Sequence, residues 1–451
     1  MSNVFDVVIV GAGPAGLMAA KVAGENGLRV ALIERKEHIT SIQRSCQTMV
    51  AIEDGYYFGE RMYFDEQQGR IVFPVNNFSV RYDGPYKNFY AWHIYSPDGK
   101  HCINLGDYDA NKRGGSKKRL SAFYSKEALL QSLFRDVQAC GAVHVFPGLN
   151  VTGHCRKNGF NEIRTSEGKV FRGVFTIAAD GINSRLMRIL DLNRQRRFFG
   201  TIQGAGYYMR GVNPPNPESI NYPVIYHKTT QYPVMLWVGL SPYGEDEYWV
   251  YAGGCSHPQI CYKDILDQAT RSGPFSDWFK GAEVVRRHGH VANIWSPTPT
   301  PVKDNVLIVG DAGWTVEAEC TGSMMSGRKA ANAVCEALRD GRPNRDGVQA
   351  YVDWWQGSFP GSMDYTEFLT LLSSGLIGED ATNYLYKLVN ETLPCSLNPY
   401  NLLNNINSSI MGKFDRIQQE RPDIVARLQQ LAAVPVTDQM RPFVQTGFPN
   451  T

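Results

Sequence analysis

The sequence predicts an α/β protein. A parallel sheet with packed helices is interrupted by an inserted antiparallel β-sheet and followed by a helical C-terminal region. Three observations carry that expectation. Val4 to Arg35 reads as strand, glycine-rich turn, helix and strand. Two later stretches, ending on Asp180 and Asp311, repeat a short buried apolar run followed by a polar turn and a helix. Between them lie short Tyr-, Trp-, Phe- and Val-rich segments cut by Gly, Pro, Asn and Asp turns. The boundaries expected are 1–55, 110–198 and 285–345 for the parallel unit, 56–109 and 199–284 for the β insertion, and 346–451 for the helical region.

Val4 to Val10 is apolar and β-branched apart from Asp6, as a buried parallel strand requires. Gly11, Gly13 and Gly16 follow in G-x-G-x-x-G spacing, with Ala15 among them. Gly11 permits the tight turn out of the strand. Gly13 has no Cβ to keep backbone N–H groups from a pyrophosphate, and Gly16 lets the helix approach the sheet. The helix N-terminus adds partial positive charge, worth roughly 0.3–1 kcal/mol per anionic group. Gly27 sits at the helix C-cap, and Arg29 to Ile33 forms the second strand. Glu34 ends that strand, placed to accept from ribose hydroxyls and to repel a 2′-phosphate, with Arg35 beside it. A strand, a helix and an acidic residue around one glycine motif define a dinucleotide-binding unit.

Composition sets the class. At 451 residues, 20% charged and 43% apolar, the chain has the balance of a globular protein of two domains with an appendage. A net charge of +2 gives no reason to expect nucleic acid or acidic membranes as partners. Nine cysteines lie scattered without C-x-x-C spacing, which argues for reduced thiols in the cytoplasm and against a metal or iron–sulfur site. His288-Gly289-His290 lacks a third ligand at fitting spacing, so no metal is expected. No basic leader precedes the first strand, and no apolar run is long enough to span a membrane.

Further along, strands are expected at Gly69–Pro74, Phe78–Tyr82, Phe89–Tyr95 and His101–Leu105. Asn111 to Arg119 reads as a loop with five basic residues. Ser125 caps an amphipathic helix ending near Cys140. Val234–Leu240 and Tyr248–Gly253 flank a turn as a hairpin. Pro297 to Pro301 is a rigid link, and from Gln349 the chain is mostly helical.

Two further motifs bear on the cofactor. Asp180-Gly181 follows a buried strand, with Ser184 and Arg185 opening a helix. Gly310-Asp311 follows another, and a loop then leads to a helix expected to start near Gly322 and Ser323. Either aspartate can hold a ribityl hydroxyl, and small residues from Ser323 to Ala331 let the helix N-terminus reach a flavin edge. In this order the motifs resemble the FAD-dependent oxidoreductases of the para-hydroxybenzoate hydroxylase fold over roughly residues 1–340. Arg44-x-Cys46, the run Ala178-Ala179-Asp180-Gly181 to Arg188, and Ser326-Gly327-Arg328-x-Ala330-Ala331 look most like the geranylgeranyl reductase group. The resemblance implies a Rossmann-like FAD-binding domain, an antiparallel sheet over the substrate, Arg44 near the cofactor, and reduction of isolated isoprenoid double bonds. Departures are Gln47-Thr48 after Cys46, where the group has Gly-Glu, and Val316 to Ser323, where it has a proline and glycines. They leave the flavin contacts standing and the isoprenoid specificity without sequence support.

For the chemistry, Cys46 is either an acid beside the flavin, its thiol acidified by Arg44 or a helix end, or a buried inert cysteine. Glu317 and Glu319 are proton donors if burial raises their pKa, and surface carboxylates otherwise. Trp92, Tyr207, Tyr208, Trp237 and Trp249 line a pocket or fill a core. The basic loop suits a CoA- or phosphate-bearing substrate or an electron-donor protein. No second nucleotide motif exists, so NAD(P)H or a donor protein visits transiently. The reaction expected is reduction or dehydrogenation of a C–C bond through flavin N5. The His and Pro-Pro of the hydroxylases are absent after Asp311, as is the halogenase W-x-W-x-I-P. The alternatives are oxygenation or halogenation, or an electron carrier with no substrate of its own.

Overall fold

Five short strands finish level with one another, and that register places everything else. The computed structural model describes residues 4–42, 49–52, 60–314, 319–358, 373, 375–396 and 399–444, with backbone only at 49–52, 319, 399, 400 and 444. Val4–Val10 pairs in parallel with Val30–Ile33 on one side and Val170–Ala178 on the other. Val143–Phe146 and Val306–Ile308 extend the sheet outward on either flank. Val10 lies opposite Ile33 and Ala178, Ile33 opposite Phe146, and Ala178 opposite Ile308. Gly11, Glu34, Asp180 and Asp311, distant in sequence, therefore emerge along one sheet edge. That edge, at the carboxyl ends of the strands, is where open α/β sheets bind ligands.

The helices, in chain order, begin with α1 (Pro14–Glu25), α2 (Tyr108–Arg113), α3 (Lys126–Ala139) and α4 (Arg185–Ile189). They continue with α5 (Tyr262–Arg271), α6 (Glu319–Arg339) and α7 (Gln349–Ser358). Small residues bring α1 onto the sheet and α6 onto α1. A Cβ at Gly16 would stand 1.8 Å from the Gly11 carbonyl oxygen, and one at Gly327 would stand 2.2 Å from that of Ala15. Neither clash is with a movable side chain, so both positions require glycine. Leu17, Met18 and Ala20 of α1 share a core with Ala330, Ala331 and Val334 of α6.

The inserted sheet has seven strands, in the order Glu283–Trp295, Phe198–Arg210, Glu247–Cys255, Pro233–Leu240, Ile220–Tyr226, Trp92–Tyr95 and Cys102–Leu105. One face packs on α5, where the Tyr207 hydroxyl donates to Asp267 at 2.5 Å and Tyr262 to the Cys255 carbonyl at 2.7 Å. The other carries Tyr208, Trp249, Tyr251, Trp237 and Tyr222, joined by Phe89 and Phe123 from a smaller sheet. Leu393 pairs onto the Cys102–Leu105 edge, while α7 supports the parallel sheet through Tyr351, whose hydroxyl donates to the Ile308 carbonyl at 2.5 Å. Among the described residues, no helix is long and apolar enough to cross a membrane.

Several expectations need correction. The return to the parallel unit was expected at 285, but Glu283–Trp295 is a full-length partner of Phe198–Arg210, so the return follows Trp295. Edge exposure lets this strand carry Arg286, Arg287, His288 and His290, which hid its alternation. Phe89–Tyr95 divides at Tyr90, bonded to Glu218, into two strands of different sheets. The basic stretch is not a plain loop: Asp107 caps α2, and a 3₁₀ turn follows at Gly115–Lys118. Helix α6 starts at Glu319 rather than near Gly322, since nothing from Glu319 to Thr321 resists helix.

Candidate FAD site

The first anchor is at the glycine turn. Gly11, at φ +101°, donates to the Ile33 carbonyl at 2.8 Å, and an added Cβ would stand 2.2 Å from the Ala179 carbonyl oxygen. Helix α1 begins after Gly13 with Pro14 in its first turn and no side-chain cap, so its leading N–H groups stay available. A Cβ at Gly13 would meet nothing within 4 Å: open space lies directly before the helix end. Glu34 is buried yet held for use. One carboxylate oxygen accepts from Ala12 N–H at 2.7 Å and the other from Lys36 N–H at 3.0 Å. Ala15 is buried against Gly310, and Arg35 is exposed next to Glu34.

The second anchor is the turn after Ile308. Gly310, at φ +58°, donates its N–H to Ser326 Oγ at 2.9 Å, and Ser326 in turn donates to the Ser323 carbonyl at 2.9 Å. Helix α6 is thereby tied to the turn that carries Asp311. The Asp311 carboxylate keeps some solvent contact and accepts no hydrogen bond from any described residue. Burial pushes its carboxyl up to about 6, while the Lys126 ammonium pulls it back. Asp180 has a structural job at the start of α4. Its carboxylate accepts from Ser184 Oγ at 2.6 Å and from the N–H groups of Arg185 at 2.8 Å and Leu186 at 3.1 Å, so it caps α4. Neither oxygen is left over as Asp311's are. Gly181, at φ +79°, gives the chain the left-handed turn that reaches the cap.

Two basic residues at this edge escaped the sequence reading. Lys126, in the first turn of α3, acts electrostatically on both Asp311 and Lys36. Arg196 donates to the carbonyl of Ala312, next to Asp311, at 3.2 Å. A basic residue just after the Ser125 cap was the available signal for Lys126; Arg196 left none, because only the fold brings it here. Arg44, Cys46 and Glu317 lie outside the described residues, as does the Glu319 side chain. Gly322 and Ser323 fall in the opening turns of α6, with Ser323 buried beside Gly310.

The remaining candidates separate clearly. His288 accepts from Trp249 Nε1–H at 2.6 Å, and burial pushes its ring down to about 4, so it is a neutral acceptor. His290 shares a 3.3 Å hydrogen bond with the Tyr251 hydroxyl through Nε2, and the Nδ1 atoms of both rings are buried without a partner among the described residues. In the basic stretch Arg119 is buried and bonded to Glu66, and Lys112 pairs with Glu218, leaving Arg113, Lys117 and Lys118 exposed. Tyr207 faces α5, not the aromatic face of the sheet. Trp92, Tyr208, Trp237 and Trp249 cluster on that aromatic face. The indole N–H groups of Trp92 and Trp237 are buried without a hydrogen-bond partner among the described residues.

An open cradle before an uncapped helix, a buried acceptor for ribose and an unpartnered desolvated carboxylate fit a flavin dinucleotide. A model of an FAD binding domain matches residues 4–51. Digeranylgeranylglycerophospholipid reductase 2 of Methanopyrus kandleri is 25% identical over 385 residues, 83% of this chain and 88% of its own. A second such reductase from that organism is 26% identical, covering 79% and 87%. A geranylgeranyl bacteriochlorophyll reductase-like protein from Thermoplasma acidophilum superposes with a TM-score of 0.67 at 19% identity, over 95% of this chain and 99% of that one. The p-nitrophenol 4-monooxygenase of Pseudomonas putida shares the fold at 12% identity, with a TM-score of 0.57 over 98% and 99%. The protein is an FAD-dependent oxidoreductase of the para-hydroxybenzoate hydroxylase fold. Within that fold it is geranylgeranyl reductase-like.

Asp311 gives the site a pH dependence. A carboxyl raised from 3.8 to about 6 is protonated in the cofactor-free protein below about 6. Its contribution to stability is full below the unfolded value and lost as pH rises through 6. If a ribityl hydroxyl donates to the ionised form, FAD binding releases a proton. Affinity for FAD should therefore rise with pH up to about 6 and level off above it. Asp311→Asn should flatten that profile and weaken binding roughly 10-fold, the loss of a charged hydrogen bond. Fluorescence titration of cofactor-free protein with FAD between about pH 5 and 8 measures both; a flat wild-type profile would remove Asp311 from the cofactor contacts.

Proposed function

We propose that this enzyme reduces isolated carbon–carbon double bonds in an apolar, prenyl-type chain, working in the cytoplasm with electrons from NAD(P)H or a donor protein. The observation that carries the reading is the aromatic face of the inserted sheet. Trp249 and Tyr251 stack at 4.9 Å, and Trp237 meets Trp92 at 6.0 Å and Trp249 at 5.7 Å. A Cβ at Gly204 or Gly253 would stand 2.2 or 2.0 Å from the Tyr251 hydroxyl, so these glycines let the phenol lie flat along the strands. Trp249, Tyr208 and Tyr251 are buried in this cluster, and the partly buried Trp92, Tyr222 and Trp237 beside them are the rings that suit contact with a hydrocarbon chain. The similarity to reductases of prenyl lipids along most of the chain supports the same choice. When bound, FAD supplies hydride chemistry at N5. The chain's own residues hold it at the Gly11 and Asp311 turns, line the substrate chain with rings and keep water from the reacting carbons.

The test is anaerobic. Reduced enzyme mixed with a panel of prenyl lipids should be reoxidised, and mass spectrometry should find product heavier by two hydrogens per turnover. If no alkene reoxidises the enzyme while O₂ and an aromatic substrate yield product carrying one oxygen atom from O₂, the reaction is oxygenation instead.

A further inference from the structure

Arg196 is a buried cation held by carbonyls. It is 9% exposed at the entry to the strand Phe198–Arg210. Its Nε donates to the Ser296 carbonyl at 2.6 Å, and one terminal nitrogen donates to the Ala312 carbonyl at 3.2 Å and to Asn193 Oδ1 at 3.4 Å. The guanidinium also lies over the Trp295 ring at 5.8 Å. The other terminal nitrogen is buried with no hydrogen-bond partner among the described residues. No described carboxylate forms an ion pair with Arg196. Burial pushes its pKa down to about 9, which still leaves it charged at neutral pH.

A guanidinium taken out of water without a carboxylate partner is costly, and chains seldom retain one without use. Holding the sheet to the turn does not require the charge, since Thr298 N–H already donates to the Gly313 carbonyl at 2.9 Å. Ala312 follows Asp311, so the charge lies one hydrogen bond from the turn expected to carry the ribityl chain. The other charged groups acting on that turn are Asp311 and Lys126, of opposite sign. Arg196 thus adds a second positive charge, beside that of Lys126, to the turn that carries the Asp311 carboxylate. Charge in a low-dielectric surround is one of the means by which a protein sets a flavin's electronics.

We propose that Arg196 is a positioning residue that fixes the Asp311 turn and supplies the buried positive charge that favours the reduced, negatively charged flavin. The inference rests on FAD binding at this edge, and the experiment separates the two. Wild type, Arg196→Gln and Arg196→Lys are loaded with FAD, and affinity and midpoint potential are measured for each by titration and dye equilibration. Arg196→Gln should still bind FAD but shift the oxidised–reduced equilibrium about tenfold towards oxidised, about 30 mV for a two-electron couple. Arg196→Lys, with the charge kept and the fork lost, should stay near the wild-type potential. An unchanged potential in Arg196→Gln, or equal shifts in both variants, overturns the proposal. Loss of FAD by wild type itself would instead sink the cofactor assignment. If Arg196→Gln does not fold, the wild-type spectrum decides: the proposal requires the N1-deprotonated form of reduced flavin at neutral pH, and the neutral form refutes it.

Discussion

Gly13→Asp should purify folded and colourless. An added Cβ at Gly13 meets no described atom within 4 Å, so the substitution should leave the packing of α1 intact. It places a carboxylate in the open space before the uncapped helix, where the dinucleotide phosphates are expected. The helix field that favours those phosphates at that point cannot offset a fixed negative charge close to them. Affinity for FAD should fall at least about 100-fold, near 3 kcal/mol. Gly16→Ala should behave oppositely. Its new methyl would stand 1.8 Å from the Gly11 carbonyl oxygen, so α1 must leave the sheet and the fold should be lost before binding can be measured. Circular dichroism separates the two variants, and absorbance after denaturation reports bound flavin. A yellow Gly13→Asp protein with wild-type affinity would move the phosphates away from α1.

What the sequence made legible follows from the length scale of each interaction. The nucleotide edge was legible because strand, turn and helix are local, and three glycines and one carboxylate repeat a pattern with a steric cause. The aromatic sheet was legible as β through turn residues, but which rings share a face was not. That depends on register across strands far apart in sequence, and Tyr207 and Tyr208 point to opposite faces although adjacent. The strand Glu283–Trp295 was hidden because an edge tolerates charge where alternation is expected. That Asp180 caps α4 was not legible, because an Asp-Gly turn looks alike whether its carboxylate meets a ligand or caps the next helix. Lys126 and Arg196 reach the cofactor edge only through the fold.

Cys46→Ala should lower turnover by about 100-fold or more while leaving FAD bound, the usual contribution of a positioned acid. Adding hydride to one carbon of an alkene requires a proton at the other, delivered by a group that stays protonated near neutral pH in a dry site. Along the described cofactor edge Glu34 accepts from two backbone N–H groups and Asp180 caps α4, while Asp311 is the residue proposed to take a ribityl hydroxyl. The thiol of Cys46 and the carboxyls of Glu317 and Glu319 are the remaining candidates on loops expected beside the flavin. The three variants discriminate. If the thiol is the acid, Cys46→Ser keeps part of the rate with a shifted pH profile, and Glu317→Gln with Glu319→Gln leaves it nearly unchanged. If a carboxyl is the acid, the double glutamine variant carries the loss and Cys46→Ala is close to wild type. Reduction of the bound flavin by its donor, followed separately by stopped flow, should be unaffected in every case because no proton reaches the substrate in that half of the cycle. Full turnover in both Cys46→Ala and the double variant would place the proton donor elsewhere and direct the search to the Tyr251–His290 pair on the aromatic face.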